Sequence, residues 1–335
     1  MSGDNGDMHA ITAREPGGPD VLEWTPVEEP SPGAAEVLID VAAAGVNRAD
    51  LLQRLGLYDP PPGASPILGM ECSGTIRALG PDAENRGFAV GDDVCALMSG
   101  GGYAERTVVP VGQLLPVPEG VSLIDAAALP EVACTVWSML TRSAALRSGQ
   151  TLLVHGGGSG IGTFAIQYAK ALGARVITSA RKAKHDALAG LGADVLIDYT
   201  QQDFVEVVRE VTAGRGADVI LDIQGAAYLP RNVAALAVDG RLEVIGLQGG
   251  RTGNLDLGAL LARRGTVHAA ALRTRSVDDK ASVVAGVRRD VWPLVAARRV
   301  RPIIDRRLPM ANAGTAHEVL EGSDHIGKLL LTNGQ

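Results

Sequence analysis

The sequence predicts an α/β protein in which a doubly wound parallel sheet is joined to an irregular β domain. Three observations predict it. Between about residue 122 and residue 272, short apolar runs alternate with helix-length segments, as buried parallel strands and their crossover helices do. A glycine-dense loop, Gly156-Gly157-Gly158-Ser159-Gly160-Ile161-Gly162, lies between the first of those runs and a helical segment. Before residue 122, short β-branched runs are separated by Pro/Gly-rich turns.

The chain has 335 residues, which at roughly 150 residues per domain suggests two domains with ample cores. It is 46% hydrophobic but only 3% aromatic, so the cores must be built from Ala, Val, Leu and Ile, with 42 Gly shaping the turns. Few aromatics and a formal charge of −7 argue against stacking on, or neutralising, a nucleic acid. Three widely spaced cysteines, Cys72, Cys95 and Cys134, exclude a disulfide framework and a four-cysteine zinc site, and read as buried small apolar residues. Residues 1–7 are small, polar and acidic, unlike a signal peptide. No run of about 18 apolar residues suggests a membrane span. The expected setting is a reducing cytoplasm.

In chain order, strands are expected at 36–41, 74–76, 93–97 and 106–111, with a Pro-rich loop at 58–63. Ser122 and Asp125, three apart, read as a helix start. Strands of the parallel sheet are expected at 151–155, 175–179, 195–198, 219–222, 242–246 and 267–271, with helices such as 163–172 and 204–212 between them. The tail reads as a helix over 283–298, a second over 311–321 and a last strand at 328–332.

The loop carries the chemistry. Glycines let a backbone turn tightly and approach a pyrophosphate, and the following helix presents free N–H groups and a partial positive charge. Gly157 and Gly162 fit the first and last glycines of the Rossmann fingerprint; Ser159 stands at the middle one, where its hydroxyl could serve a phosphate. An NAD-binding fold usually has an acid about 20 residues on. Here the second strand ends at Ser179-Ala180 and continues Arg181-Lys182-Ala183-Lys184. Bases at a helix start oppose the helix dipole, so the pattern points to an anion, the 2′-phosphate of NADP, or else to a solvated basic turn. Tyr199, after the third strand, fits either a cover for the adenosine or edge packing.

These features converge on a family. The segments Ala44-Gly45-Val46-Asn47-Arg48-Ala49-Asp50, Arg54-Leu55-Gly56-Leu57-Tyr58 and Ile67-Leu68-Gly69-Met70-Glu71-Cys72-Ser73-Gly74 carry the resemblance, with Ala127-Ala128-Leu129-Pro130, the glycine loop, Leu191-Gly192-Ala193 and Ile326-Gly327-Lys328. Over about residues 8–332 the chain resembles the zinc-independent quinone oxidoreductase (zeta-crystallin-like) branch of the medium-chain dehydrogenase/reductase superfamily. The resemblance implies a GroES-like catalytic domain, residues 1–128 with 273–335, interrupted by a Rossmann NADP-binding domain, residues 129–272. It implies a homodimer paired through the last Rossmann strand. It makes Lys184 a ligand of the NADP 2′-phosphate; Arg181 stands where most relatives carry a small residue. It further implies cofactor contacts at Thr135, Gly160, Ile161, Ser179, Gly246, Leu247, Gln248, Arg273 and Lys328, with Asn47 and Tyr58 beside the nicotinamide. Asn47 would position the nicotinamide ribose or the acceptor oxygen, and Tyr58 would line the acceptor pocket. Asn47 with Asp50 fits a helix N-cap as well, and Tyr58 an anchor of the Pro-rich loop.

The positions equivalent to the catalytic zinc ligands of related alcohol dehydrogenases are Asn47, Met70 and Glu131, a poor donor set, so no metal is expected. Alcohol oxidation needs a Lewis acid, whereas a quinone is already electrophilic. The expected activity is therefore NADPH-dependent reduction of a quinone or similar conjugated carbonyl. An enoyl or alkenal double-bond reductase is the alternative within enzymes. An NADPH-binding sensor or structural protein with little turnover is the alternative outside them.

Overall fold

The computed structural model describes residues 8–334. The N-terminal segment 1–7, read above as lacking a signal peptide, lies outside the described residues. The strands run in chain order β1 (Met8–Ala13), β2 (Leu22–Val27), β3 (Glu36–Gly45), β4 (Glu71–Leu79), β5 (Asp93–Leu97), β6 (Arg106–Pro110) and β7 (Leu114–Pro116). There follow β8 (Thr151–His155), β9 (Arg175–Ser179), β10 (Val195–Ile197), β11 (Ala217–Asp222), β12 (Leu236–Val244) and β13 (Thr266–Ala269). The chain returns through β14 (Ile304–Pro309) and β15 (Lys328–Thr332).

The contacts divide the chain into two compact units. One comprises the chain up to Cys134, Leu272–Ala296, and everything from Pro302 on; the other comprises Thr135–Ala271 and Ala297–Arg301. The sequence reading set its boundaries at 128 and 272.

In the first unit β14, β15, β3, β4, β5 and β7 form one sheet, with β6 paired to β3. Only β14 and β15 run parallel in it; the other pairs are antiparallel. This is the irregular, GroES-like β architecture. Its core is aliphatic, with Val37, Ile39, Ile76, Val94, Val109, Leu329 and Leu331 fully or nearly fully buried and Tyr103 the one fully buried aromatic ring among them. The hairpin β1–β2 carries no strong apolar run and is not evident in the sequence. It is held by a Thr12–Thr25 hydroxyl pair at 2.9 Å and by His9 stacked on Trp24.

The second unit is a fully parallel sheet with order β10-β9-β8-β11-β12-β13. That is the 3-2-1-4-5-6 order of a Rossmann domain, whose ligands bind beyond the carboxyl ends of the strands, where the order reverses between β8 and β11. All five residues of β8 and four of the five of β9 are buried, which is why both read as continuous apolar runs.

The expected tail helix over 283–298 is instead two, Val277–Asp290 and Trp292–Ala296. Pro293 lacks an N–H and cannot continue the first helix. That helix starts earlier than the apolar pattern because Ser276 caps it, its hydroxyl accepting from the Asp279 amide. Ser122 caps its own helix in the same way through Asp125. The helical run Leu123–Ser143 is long and apolar enough to cross a membrane by length and composition, although 78% of its apolar 18-residue stretch is buried inside the protein. Asp125, Glu131 and Arg142 break it into shorter apolar pieces in the sequence.

Candidate functional site

One group of candidate residues is built on the parallel sheet. β8 ends at His155, a buried ring whose Nε2–H donates to Asn232 Oδ1 (2.8 Å) while Nδ1 accepts from Ser179 Oγ (3.1 Å). One donor and one acceptor require the neutral imidazole, and burial holds its pKa down to about 4. The chain then turns at Gly156, in the left-handed region with φ 74°. The amides of Gly156 and Gly157 both donate to the Ser179 carbonyl, which ties the loop to the end of β9. A Cβ on Gly157 would lie 2.1 Å from Thr178 Oγ1, and one on Gly162 would lie 2.3 Å from the Gly156 carbonyl. These two positions therefore admit only glycine.

Ser159, expected to serve a phosphate, bonds within the loop. Its hydroxyl donates to the Gly156 carbonyl (2.8 Å) and accepts from the Gly162 amide (2.9 Å), capping the helix Gly160–Ala171. The proton is already engaged within the loop. The Gly160 and Ile161 amides lie at the open end of that helix, where backbone N–H groups have no intrahelical acceptor.

The other expected cofactor residues of this unit follow the same carboxyl edge. Arg181 is exposed and its Nε donates to the Tyr199 hydroxyl at 3.3 Å. Lys184 lies along the glycine loop; a Cβ on Gly158 would meet its Cδ at 2.6 Å. Both precede the short helix His185–Gly190. Gly246, Leu247 and Gln248 follow β12 and fold over the turn after β11, with the Gln248 amide on the Ile223 carbonyl at 3.1 Å. Thr135 is buried within the helix Pro130–Trp137.

A separate group is built within the GroES-like unit from buried charge. Asn47 stands at the N-cap of the helix Arg48–Arg54, and its amide N–H donates to Asp50 Oδ2 at 2.8 Å. Its side chain is turned elsewhere. Oδ1 accepts from Lys328 Nζ (2.7 Å), and Nδ2 donates to Glu71 Oε1 (2.9 Å). Lys328 Nζ also donates to the same Glu71 oxygen (2.6 Å) and to the Val46 carbonyl (3.0 Å). Glu71 Oε2 accepts from the Glu131 amide (2.9 Å), at the start of the helix Pro130–Trp137. Lys328 and Glu71 side chains are 5% and 0% exposed.

Asp50 is wholly buried and accepts from three groups: the amides of Asn47 and Gly69, and the Tyr103 hydroxyl. Burial nonetheless lifts its pKa to about 6. Behind it, Tyr103 meets His317 Nε2, and Arg54 meets His317 Nδ1. Burial holds that histidine down to about 3, neutral like His155.

Tyr58 lies half-buried in the Pro-rich loop beneath Arg273, whose guanidinium carbon is 5.3 Å from the ring centre. Arg273 is 3% exposed. Its nitrogens donate to the Ser99 carbonyl (2.8 Å), the Tyr58 carbonyl (3.3 Å) and Gln53 Oε1 (2.6 Å). Lys280 Nζ completes the group on Ser99 Oγ. Burial raises the Tyr58 phenol above its ordinary range, with Arg273 pulling the other way.

Arg273 and Lys328, expected as cofactor contacts, also bond within the protein: Arg273 gives three of its five N–H to protein oxygens, and Lys328 gives all three of its protons. Both side chains hold neighbouring residues in place, Arg273 the Tyr58 loop and Lys328 the Asn47 carboxamide. Sequence reasoning also missed Glu71. It appeared only as part of a quoted segment, although an acid at the head of an otherwise buried strand is itself a signal.

The donor set does not fit zinc. Asn47 is a weak ligand with an ammonium on its oxygen, Met70 is a thioether, and only Glu131 is a carboxylate. Among the described residues, no group of three or more His, Cys, Asp or Glu is placed to hold a metal.

Comparison with known proteins agrees with this geometry. Residues 33–119 match the model of the alcohol dehydrogenase GroES-like domain, and residues 160–284 that of the zinc-binding dehydrogenases. A quinone oxidoreductase of Pseudomonas aeruginosa is 31% identical over 318 residues, covering 94% of this chain and 96% of that protein. A 2-haloacrylate reductase of a Burkholderia species is 28% identical, covering 96% and 98%. A mycobacterial structure solved with NADPH superposes with a TM-score of 0.86 at 32% identity, covering 97% of this chain and all of that one. The chain belongs to the zinc-independent quinone oxidoreductase branch of the medium-chain dehydrogenase/reductase superfamily.

Proposed function

We propose that this protein is an NADPH:quinone oxidoreductase that works without a metal. The observation that carries the cofactor choice is the end of β9, where Ser179, Arg181 and Lys184 stand in place of the acid that would bind a ribose 2′-hydroxyl. The close-packed glycines and the open helix end fit a pyrophosphate. NADPH, when bound, supplies a hydride to the conjugated acceptor.

The residues of the chain do the rest. Gly157 and Gly162 let the backbone approach, and the Gly160 and Ile161 amides, set by the Ser159 cap, bind the pyrophosphate. Arg181 and Lys184 hold the 2′-phosphate, and Tyr199 covers the adenosine. Thr135, Ser179, Gly246, Leu247 and Gln248 complete the cofactor contacts. Asn47 donates a hydrogen bond to the nicotinamide ribose or to the acceptor oxygen, stabilising charge that develops there. Tyr58 lines the acceptor pocket with Arg273 behind it, and solvent protonates the reduced acceptor. On this reading residues 1–128 with 273–335 are the catalytic domain and 129–272 the NADP-binding domain. The protein acts in the cytoplasm as a homodimer paired along β13.

A second reading is supported by the 2-haloacrylate reductase relative and by the CurK enoyl reductase structure, which superposes at 25% identity with a TM-score of 0.84. An alkene conjugated to a carbonyl is electrophilic in the same sense as a quinone. Steady-state NADPH oxidation with matched quinones, enals and enoyl thioesters separates the two. The quinone reading expects the highest kcat/KM on a quinone; turnover confined to the alkenes would replace it with the second reading.

A further inference from the structure

We infer that Glu71 and Lys328 are positioning residues that fix the Asn47 carboxamide as a hydrogen-bond donor. The inference deepens the reading of Asn47 above and rests on it. Asn47, Glu71 and Lys328 come from the N-cap of one helix and the first residues of β4 and β15. The pair can hold the amide one way only. An ammonium donates and never accepts, and a carboxylate accepts and never donates. Turning the amide over would put its NH2 against Lys328 Nζ and its carbonyl against Glu71 Oε1, losing bonds of 2.7 and 2.9 Å. With Oδ1 accepting from Lys328 and one Nδ2 proton given to Glu71, the one proton the amide has left is the second on Nδ2. Among the described residues its acceptor is the Gly45 carbonyl at a long 3.4 Å.

The consequence is a specificity. The amide presents its remaining N–H to a carbonyl, oxyanion or ether oxygen, while the Lys328 ammonium on Oδ1 makes that oxygen a weaker acceptor for any donor. The anchor is itself braced. Glu71 is seated on the Glu131 amide through its second oxygen, and Lys328 on the Val46 carbonyl. There is no room for drift beside Glu71, since a Cβ on Gly45 would lie 2.3 Å from Glu71 Oε1. The buried ammonium thus sits on the oxygen of the residue equivalent to a zinc ligand in related dehydrogenases, and it orients that residue.

The test is a set of variants assayed with NADPH and a quinone. Removing one member of a buried ion pair strands the other charge, whereas replacing both by neutral residues of similar size is often tolerated. The central variant is therefore the double substitution E71Q/K328M, with N47A and the triple variant beside it. A tenfold or greater loss of kcat is expected for E71Q/K328M, with KM for NADPH within threefold of the parent and an unchanged far-UV spectrum. The triple variant should be no slower than N47A. K328R, which keeps a cation and its donors, should recover most of the kcat that K328M loses. N47D, which cannot donate, should be slower than N47A. Full kcat in E71Q/K328M would overturn the inference, as would equal loss from E71Q/K328M in the parent and N47A backgrounds. If N47A itself leaves both kcat and KM untouched, the reading of Asn47 fails, and with it the inference. Should the double variant not fold, the K328M and K328R pair carries the same test by the kcat split.

Discussion

The two groups of candidate residues, one in each unit, hold polar groups ready by opposite means. On the parallel sheet the work is done by backbone. Gly157 and Gly162 have no space for a side chain, Ser159 fastens the loop to its own helix, and the charged residues Arg181 and Lys184 stay at the rim. In the GroES-like unit the work is done by buried charge. Lys328, Glu71, Asp50 and Arg273 are nearly or wholly inaccessible, and each is surrounded by oxygen or nitrogen partners. The first arrangement is local in sequence and tolerates no added atom. The second is assembled from residues 47, 71, 131 and 328 and tolerates no missing partner.

The sharpest way to break the first group is to add atoms. Gly162→Val would drive a side chain into the Gly156 carbonyl, and we expect loss of NADPH binding by 100-fold or more, read by fluorescence titration. Tight binding retained by this variant would remove the loop from the cofactor site. Next in size, Arg181→Ala with Lys184→Ala should raise KM for NADPH at least tenfold and leave KM for NADH within threefold. A charge-assisted hydrogen bond contributes roughly 1.5–3 kcal/mol, and the exposure of Arg181 places it at the lower end. An unchanged ratio of the two KM values would withdraw both residues from the 2′-phosphate.

The comparison also predicts an acid response. His155 in one unit and His317 in the other are held neutral, at about 4 and about 3, below the unfolded value near 6.5. Between pH 6.5 and 4 the unfolded chain therefore binds more protons, and stability falls as pH falls, by about 2 kcal/mol per histidine on reaching pH 5. Asp50, lifted to about 6, has the opposite sign. Its contribution is present below the unfolded value of 3.8 and is lost as pH rises through 6, so acidification returns part of what His317 loses. Asp222, also raised by burial, offsets His155 in the same sense. Urea unfolding at pH 7 and pH 5 should show a lower midpoint at pH 5, and His155→Gln should flatten that slope. Equal slopes in parent and variant would contradict the assignment. The smallest effect is expected from Tyr58→Phe. Loss of its hydroxyl should lower kcat/KM for a quinone by about threefold to tenfold, the size of one modest hydrogen bond, without changing KM for NADPH.

The same contrast explains what the sequence revealed. The parallel sheet was legible because buried strands are unbroken apolar runs, and the glycine loop because its spacing is local. β8, β9 and β15 begin and end where the apolar pattern does. The β1–β2 hairpin was not, since its half-exposed strands show no apolar stripe. Glu71 went unrecognised because its partners are 24, 60 and 257 residues away. Arg273 and Lys328 were picked out by position along the chain, and that says nothing of where a guanidinium or ammonium points. Ser159 was placed in the loop correctly, but only geometry shows that its proton goes to Gly156.

The central claim is hydride transfer from NADPH to a quinone with no metal. The most direct measurement is the rate of NADPH and NADH oxidation with a saturating quinone, before and after exhaustive chelation. The account predicts quinone-dependent oxidation that chelation leaves unchanged and that favours NADPH at least tenfold in kcat/KM. Activity lost on chelation and restored by zinc, or equal rates with both nucleotides, would contradict it.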